Sequence, residues 1–245
     1  MSDAIEELIK TEEGCLQLLR EAKYPNGQFR CAKCGDTTGY EFRHRSIIEC
    51  AGCHRQISPT SGTFFHGMRT PLTKIFAMIL DLANGLSKSA FQVSQELELP
   101  VTTAWRILHK LRVVFELWFA PDQEQTVHHS FLAKILYRRS IESPSINASS
   151  QTRNSKSSVP KQSESSQPEQ DPAVCKAVAK AVGFIETIFC GVSRKFSQRY
   201  FYQFSFFLKF RGEFRALLAA CTSTRSISNE EIESYTSPEL VTLPQ

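Results

Sequence analysis

Cys31-Ala32-Lys33-Cys34-Gly35 and Cys50-Ala51-Gly52-Cys53-His54 are the stretch on which the reading of this chain turns. Two Cys-x-x-Cys pairs at this separation are the sequence form of a four-thiolate zinc site. Zn²⁺ prefers a tetrahedron of soft ligands, with sulfur about 2.3 Å away. Each pair delivers two thiolates from one tight turn, and a short β-hairpin between the pairs brings them to the same ion. Gly35 and Gly52 are expected to relieve strain in those turns. With Cys31, Cys34, Cys50 and Cys53 as ligands every position is filled by protein, so the metal is structural and leaves no room for water or substrate. The same four residues also admit two disulfides, or iron in place of zinc. His54 and His66 could each replace one ligand, but four well-spaced cysteines make this unnecessary.

The 245 residues leave room for one or two domains. A hydrophobic content of 41% is ordinary for a globular protein, and the net charge of +4 matters less than where the charge sits. No run of about eighteen apolar residues suggests a membrane helix. The start, Met1-Ser2-Asp3-Ala4-Ile5-Glu6-Glu7, is too acidic for a secretory signal. Eight cysteines without such a signal point to a reducing compartment and to metal binding. Cys15, Cys175, Cys190 and Cys221 are scattered and read as small buried hydrophobes.

Outward from the cysteines, the pattern predicts an α+β fold, mostly α, in five segments. Residues 1–23 carry Ile5, Leu8, Ile9, Cys15, Leu16 and Leu19 at helical spacing, so 3–22 is expected to be one helix. Residues 24–67 form the ribbon, with short strands around 40–43, 47–49 and 56–58. So small a β unit cannot bury a core, and the metal must supply most of its folding free energy, on the order of 10 kcal/mol. In 68–142, Thr70 as N-cap and Pro71 at the first turn open a helix to 82. A second helix spans 87–97, Glu98-Leu99-Pro100 breaks it, and a third spans 101–112 and continues as helix over 113–142, with a break at Pro121. Helix, short turn, helix is the helix-turn-helix order. Phe91, Val93, Leu97, Leu99, Val101, Trp105 and Leu108 are its expected core. Thr102, Thr103, Arg106, His109, Lys110 and Arg112 are expected to face outward, where they could donate to phosphates and base edges. An ordinary three-helix bundle with a solvated basic face fits the same pattern. His128 and His129 read as surface residues. Residues 143–172 are Ser, Gln, Pro, Asn and Lys and read as disordered linker. In 173–245, Phe196, Tyr200, Phe204, Phe207 and Leu208 recur at helical spacing, amid six basic residues and one acidic residue from Arg194 to Arg215. The end carries Glu230, Glu231, Glu233 and Glu239.

Several of these runs, in this order, resemble one family. Tyr24-Pro25-Asn26-Gly27, the two cysteine pairs, Gln56-Ile57-Ser58 and Thr60-Ser61-Gly62-Thr63-Phe64-Phe65-His66 resemble the N-terminal zinc ribbon of insertion-sequence transposases of the ISXO-two-like group. Lys74, Ala90–Leu97 and Thr103–Arg112 resemble its helix-turn-helix, and Phe189–Tyr200 resembles the segment that closes its catalytic domain. The resemblance implies a DDE transposase that recognises transposon-end duplex DNA. It also implies an RNase H-like sheet in which three acids hold two Mg²⁺ ions for cutting and joining strands.

The chain departs from that pattern after Arg112. The acid-bearing strand expected next is replaced by helical sequence and then by the Ser-rich run. The third acid should lie near Val174 to Ala177, where there is no carboxylate. Asp122, Asp171 and Glu186 are the nearest acids, and none sits in a family-like context, so no catalytic residue is assigned. The reading is therefore a truncated or degenerate transposase. It has a ribbon and helix-turn-helix for DNA, a helical remnant of the catalytic domain, structural zinc, and Mg²⁺ only if the core were intact. The expected compartment is cytoplasm or nucleoid, or the nucleus of a eukaryotic host. Two other readings stay open. One is an active two-metal transposase. The other is a non-enzymatic module in which the ribbon and the aromatic helix around Phe196–Phe210, a stripe that is more often core but would be partly exposed without a sheet to pack on, bind protein, such as transposase subunits. Lys33, Arg43, Arg45 and Arg55 are secondary DNA contacts, or counter-charges for the zinc thiolates.

Overall fold

The computed structural model describes residues 2–42, 46–120, 125–128, 132 and 172–243. Its elements run α1 (Ser2–Leu8), α2 (Glu12–Lys23), a 3-10 turn (Pro25–Gly27), β1 (Gly39–Phe42), β2 (Ile47–Cys50) and β3 (Gln56–Ile57). Then come α3 (Leu72–Ala83), α4 (Ala90–Glu96), α5 (Val101–Trp118) and β4 (Gln125–His128). After the described gap follow α6 (Pro172–Phe189), a 3-10 turn (Arg194–Phe196), α7 (Ser197–Phe210), α8 (Phe214–Ser223), α9 (Asn229–Glu233) and β5 (Leu240–Leu243). The fold is mostly helical α+β, with a small antiparallel sheet near the N-terminus that holds the four cysteines.

Local chemistry sets the helix ends. The single helix expected over 3–22 is two, because Thr11 takes an extended conformation and its side chain accepts from Gly14 N. That bond satisfies an otherwise orphaned donor and starts α2 afresh. Helix α3 starts one residue later than expected. Pro71 is its N-cap and makes no side-chain bond. The capping is supplied from another helix, since Glu12 accepts from Thr73 N at 3.2 Å. Helix α4 opens with a full capping box, in which Ser89 Oγ accepts from Gln92 N and Gln92 Oε1 accepts from Ser89 N at 2.8 Å. Leu97–Pro100 then carries the chain into α5, with Glu98 in the left-handed region at φ +50°.

Helix α5 runs to Trp118, and Gln125–His128 is a strand, so the helix expected over 113–142 is corrected there; residues 133–142 lie outside the described residues. Val127 lies in β4, where it pairs with Val241 of β5. The reason is non-local: an apolar strand at the C-terminus offers a ladder to Gln125–His128, which no helical periodicity could announce. Of the expected linker, residues 143–171 lie outside the described residues, and Pro172 begins α6.

Helix α7 is the centre of the packing. Phe201, Phe204 and Phe206 are buried on different sides of it, as are the polar Ser197, Gln198, Arg199, Gln203 and Ser205. A helix buried nearly all round must have neighbours on several faces. One side meets α5, where Phe206 stands 4.7 Å from Phe115 and 4.8 Å from Phe119, ring centre to ring centre. The other side joins Val178, Val182 and Ile185 of α6 and Val241 and Leu243 of β5 in a second core. Aromatic and Ser-rich sequence is a poor helix former in isolation, so α7 depends on this packing. Gln198 ties it to the strand: its Nε2 donates to Thr242 O at 3.0 Å and its Oε1 accepts from Thr242 N at 2.8 Å. Of the aromatic stripe, expected to be core or partly exposed, Phe204 is buried, Phe196, Tyr200 and Phe207 are half-buried, and Leu208 is 49% exposed.

Candidate functional site

The ribbon is built from two turns of the same design. In the first, Gly35 N donates to Cys31 O and Cys31 N donates to Asp36 O; in the second, His54 N donates to Cys50 O and Cys50 N donates to Arg55 O. The residue after each pair takes a left-handed conformation, Gly35 at φ +78° and His54 at φ +54°. Glycine adopts this freely, whereas a side chain there costs about 1 kcal/mol. Gly52 has a different reason from the one expected. Its φ is not positive, and a Cβ there would stand 2.5 Å from Asp36 Oδ2, so the residue is small to let the first turn approach the second.

Strands β1, β2 and β3 pair antiparallel in that order, with Tyr40 opposite Glu49 and Ile48 opposite Ile57. This closes the hairpin and brings all four sulfurs within 4.8 Å of one another. Cys31 Sγ lies 3.7 Å from Cys53 Sγ, and Cys34 Sγ lies 3.3 Å from Cys50 Sγ. Four sulfurs around one zinc stand roughly 3.8 Å apart, so the constellation fits the ion. A disulfide needs about 2.05 Å, and all four cysteines are free. Backbone donation from the N–H groups of Cys34 and Lys33 draws the Cys31 thiol down to about 6, which favours the thiolate a metal requires. Cys34 is pushed up to about 12: the Asp36 N–H lowers it, and its sulfur neighbours and desolvation outweigh that. Such a shared proton leaves when a cation takes the centre. Behind the site, the buried residues of the ribbon's own core among the described residues are Phe29, Cys31, Ile48 and Cys50.

The comparison with known families falls on this same unit. Residues 10–56 match the family model of the transposase zinc-ribbon domain. The match runs from the end of α1 through both cysteine turns to β3. A four-cysteine cluster inside a transposase zinc-ribbon domain identifies the metal as structural Zn²⁺. No curated protein and no solved structure matches the chain. Among the described residues, this cluster is the one convergence of three or more side chains able to hold a metal. His54 and His66 are exposed and stand outside it. Glu186 is exposed on α6, while Asp122 and Asp171 lie outside the described residues. No helix of the described residues is long and apolar enough to cross a membrane.

The six candidate DNA contacts divide into two groups. Thr102 and Arg106 are exposed and Thr103 and Lys110 half-buried, all on the N-terminal part of α5. Arg106 is within 3.7 Å of Glu233 on α9. His109 and Arg112 are not outward: they are 1% and 2% exposed, covered by the 3-10 turn and α7. Arg112 Nε donates to Gln203 Oε1 at 2.8 Å, and its guanidinium lies 3.9 Å from the Tyr200 ring centre. Burial draws Arg112 below the usual arginine range, with Tyr200 opposing that and Arg199 adding to it. Arg199, one of the six basic residues from Arg194 to Arg215, is buried, bonded to Glu116 at 3.1 Å and stacked 3.6 Å from Tyr235. Gln203 gave no sequence signal; a Gln amid aromatics at helical spacing is the only hint that something polar must be met there.

The expected helix-turn-helix core is corrected as well. Val93 and Leu108 are buried, but Phe91 is 62% and Val101 45% exposed. Both sit at helix starts that project beyond the packed turns. Of the scattered cysteines, Cys15 and Cys221 are buried and their thiols raised by burial, so they stay protonated. Cys190 is exposed, contrary to expectation, and the side chain of Cys175 lies outside the described residues.

His109 makes no hydrogen bond through either ring nitrogen among the described residues. It packs as an aromatic, 4.1 Å from Trp105 and 4.4 Å from Phe196. Burial, reinforced by Arg112 and Arg199, lowers it to about 2. Unfolded, it titrates near 6.5. Below about pH 6.5 the unfolded chain therefore binds a proton that the folded chain refuses. Its contribution is intact above that pH and declines toward pH 2, by up to about 1.4 kcal/mol per pH unit. In urea unfolding at pH 7, 6 and 5, His109→Phe is expected to show a shallower pH dependence than wild type by about that slope. Equal slopes would mean that the buried ring accepts a proton without penalty.

Proposed function

We propose that this chain is a transposase-type DNA-binding protein that docks on transposon-end duplex. In this reading the zinc ribbon and the start of α5 carry the recognition, and binding rather than strand transfer is the activity. The observation that carries the reading is the match of residues 10–56 to the transposase zinc-ribbon domain. The pair α4 and α5 supports it, in helix-turn-helix order. Recognition helices contact base edges with their N-terminal residues, and Thr102, Thr103 and Arg106 are the accessible residues there, with Lys110 one turn on. His109 and Arg112 take no part in contact; they hold α5 against α7. The sequence after Arg112 supports the non-catalytic half of the reading, since it lacks the acid-bearing strand that the resemblance calls for. The two sheets among the described residues are small and antiparallel, with three and two strands. The protein-interaction reading rested in part on the aromatic stripe around α7, in which Phe204 is buried and Phe196, Tyr200 and Phe207 are half-buried against the two cores, leaving Leu208 exposed.

The test is duplex binding across a salt series. Each neutralised phosphate steepens the log–log salt dependence by about 0.9. Arg106→Ala is expected to weaken binding to the preferred duplex by roughly ten- to a hundredfold, the range of one base contact, and to flatten discrimination between duplexes. Failure of the wild-type chain to bind any duplex at low salt would reject the reading. Strand cleavage with Mg²⁺ or Mn²⁺ would replace it with the active transposase.

A further inference from the structure

We infer that the groove between the end of α2 and the two cysteine turns is a seat for a phosphodiester backbone, a second DNA contact apart from α5. The groove holds about 400 Å³, and Lys23, Tyr24, Arg30, Lys33, Arg55 and Gln56 are among its walls. Four of these are cations, and no carboxylate lines the groove. They come from three separate parts of the chain: the last residue of α2, the approach to the first turn, and the residue that leaves the second. Folding has gathered like charge that sequence distance would have kept apart.

Such a gathering is unfavourable unless something offsets it. Arg30, Lys33 and Arg55 are exposed, and among the described residues none of them forms an ion pair. Other cations of the chain do find acids: Arg20 pairs with Glu41, and Lys88 with Asp81. Lys23 is half-buried at the floor, its ammonium donating to Ser58 O, Pro59 O and Ser61 O. Three neutral carbonyls fix its position without neutralising it, and burial brings it down to about 8. An anion above this floor would restore what burial removes. Because the charges are spread over a groove and not focused on one point, a chain of phosphates fits them better than a single phosphate. Exposed guanidinium forks suit phosphate oxygens geometrically.

The competing use of these charges is internal. A four-thiolate zinc centre carries roughly two negative charges, and Arg30, Lys33 and Arg55 each lie within two residues of a ligand cysteine. The two uses predict different losses. A counter-charge is needed to keep the metal; a phosphate seat is needed to keep the DNA.

The inference rests on the DNA-binding reading, and the experiment separates the two. In the full chain, Arg30→Gln/Lys33→Gln/Arg55→Gln and the single Arg55→Gln are compared with wild type for zinc content and for duplex binding against salt. The expected result is full zinc in both. The triple variant should bind all duplexes more weakly, on the order of a hundredfold near 0.1 M salt, with a slope shallower by about 2.7, and the single variant by about 0.9. The ranking of duplexes should not change, which distinguishes this loss from that of Arg106→Ala. An unchanged slope overturns the groove and leaves the DNA reading standing. Loss of zinc also overturns it, in favour of the counter-charge. If wild type binds no duplex, the DNA reading fails. Pyrophosphate titrated into the same sample then decides the groove: shifts of ribbon amide signals, absent in the triple variant, keep it as an anion seat, and no shifts dismiss it.

Discussion

Cys50→Ser is expected to release the metal and unfold residues 29–58 while leaving the helical body intact. Serine does not ionise near neutral pH, so the fourth ligand is lost outright. The ribbon has little else to hold it, because its own core is Phe29, Ile48 and the two ligand cysteines Cys31 and Cys50. Structural zinc supplies about 10–16 kcal/mol to peptides of this kind, far more than so small a core can replace. The body does not share this dependence. Helix α2 packs on α3 and α8, and Cys15, Leu18 and Leu19 belong to the large core. Zinc content should fall from one ion per chain to none, and amide exchange should become fast over 29–58. Fluorescence from Trp105 and Trp118 should hold. A full zinc complement in the variant would mean that three thiolates suffice, and protection of 29–58 without zinc would mean that the ribbon folds on packing alone. A strong chelator should reproduce the variant's exchange pattern in the wild-type chain.

Arg112→Ala is expected to destabilise the fold by about 3–5 kcal/mol, a large share of the 5–15 kcal/mol that domains generally possess. Three losses combine. Gln203 Oε1 is left buried without its donor, at about 1–3 kcal/mol. The guanidinium leaves the face of Tyr200, a desolvated cation–π contact of about 2 kcal/mol. A cavity opens between α5 and α7. Arg112→Met fills most of the volume and so avoids the cavity, but it also strands Gln203 and removes the cation from Tyr200, part of which a thioether on the ring recovers, so its expected loss is about 2–4 kcal/mol. Urea denaturation of both variants is the measurement. A loss under about 1 kcal/mol for the alanine variant would put the side chain in solvent.

These two residues also mark the boundary of what the sequence can tell. The cysteine turns were legible because their chemistry is local. Ligand spacing, tight turns and a hairpin all lie within some twenty residues, and a metal that wants four thiolates states its requirement in the pattern itself. Even there, the reason for Gly52 was invisible, because it depends on Asp36 crossing over from the first turn. Arg112 and His109 fall on the face of α5 that a free recognition helix would turn to solvent. Polarity says outward for both. What covers them is α7, whose Gln203 stands 91 positions along the chain, and no periodicity in α5 announces it. The same blindness explains β4. Thr126 and Val127 become a strand only because Val241 and Thr242 return to pair with them. The exposed half of the candidate surface, Thr102, Thr103 and Arg106, was readable because the start of a helix after a short turn is usually open.

The late return of α7 and β5 has a consequence for the order in which the protein is made. On the ribosome the ribbon can close and take up its metal as soon as Ile57 has emerged, since all its ligands and strands precede that point. Helix α5 is complete at Trp118 but lacks its covering wall until α7 ends at Phe210, about 92 residues later. At ordinary elongation rates of 5–20 residues per second that is a delay of roughly 5–18 seconds. Through that interval His109, Arg112 and Phe115 stay uncovered by the chain that will bury them. The metal end of the molecule can thus be finished early in synthesis, whereas the α5 surface becomes rigid only once α7 has emerged to cover it.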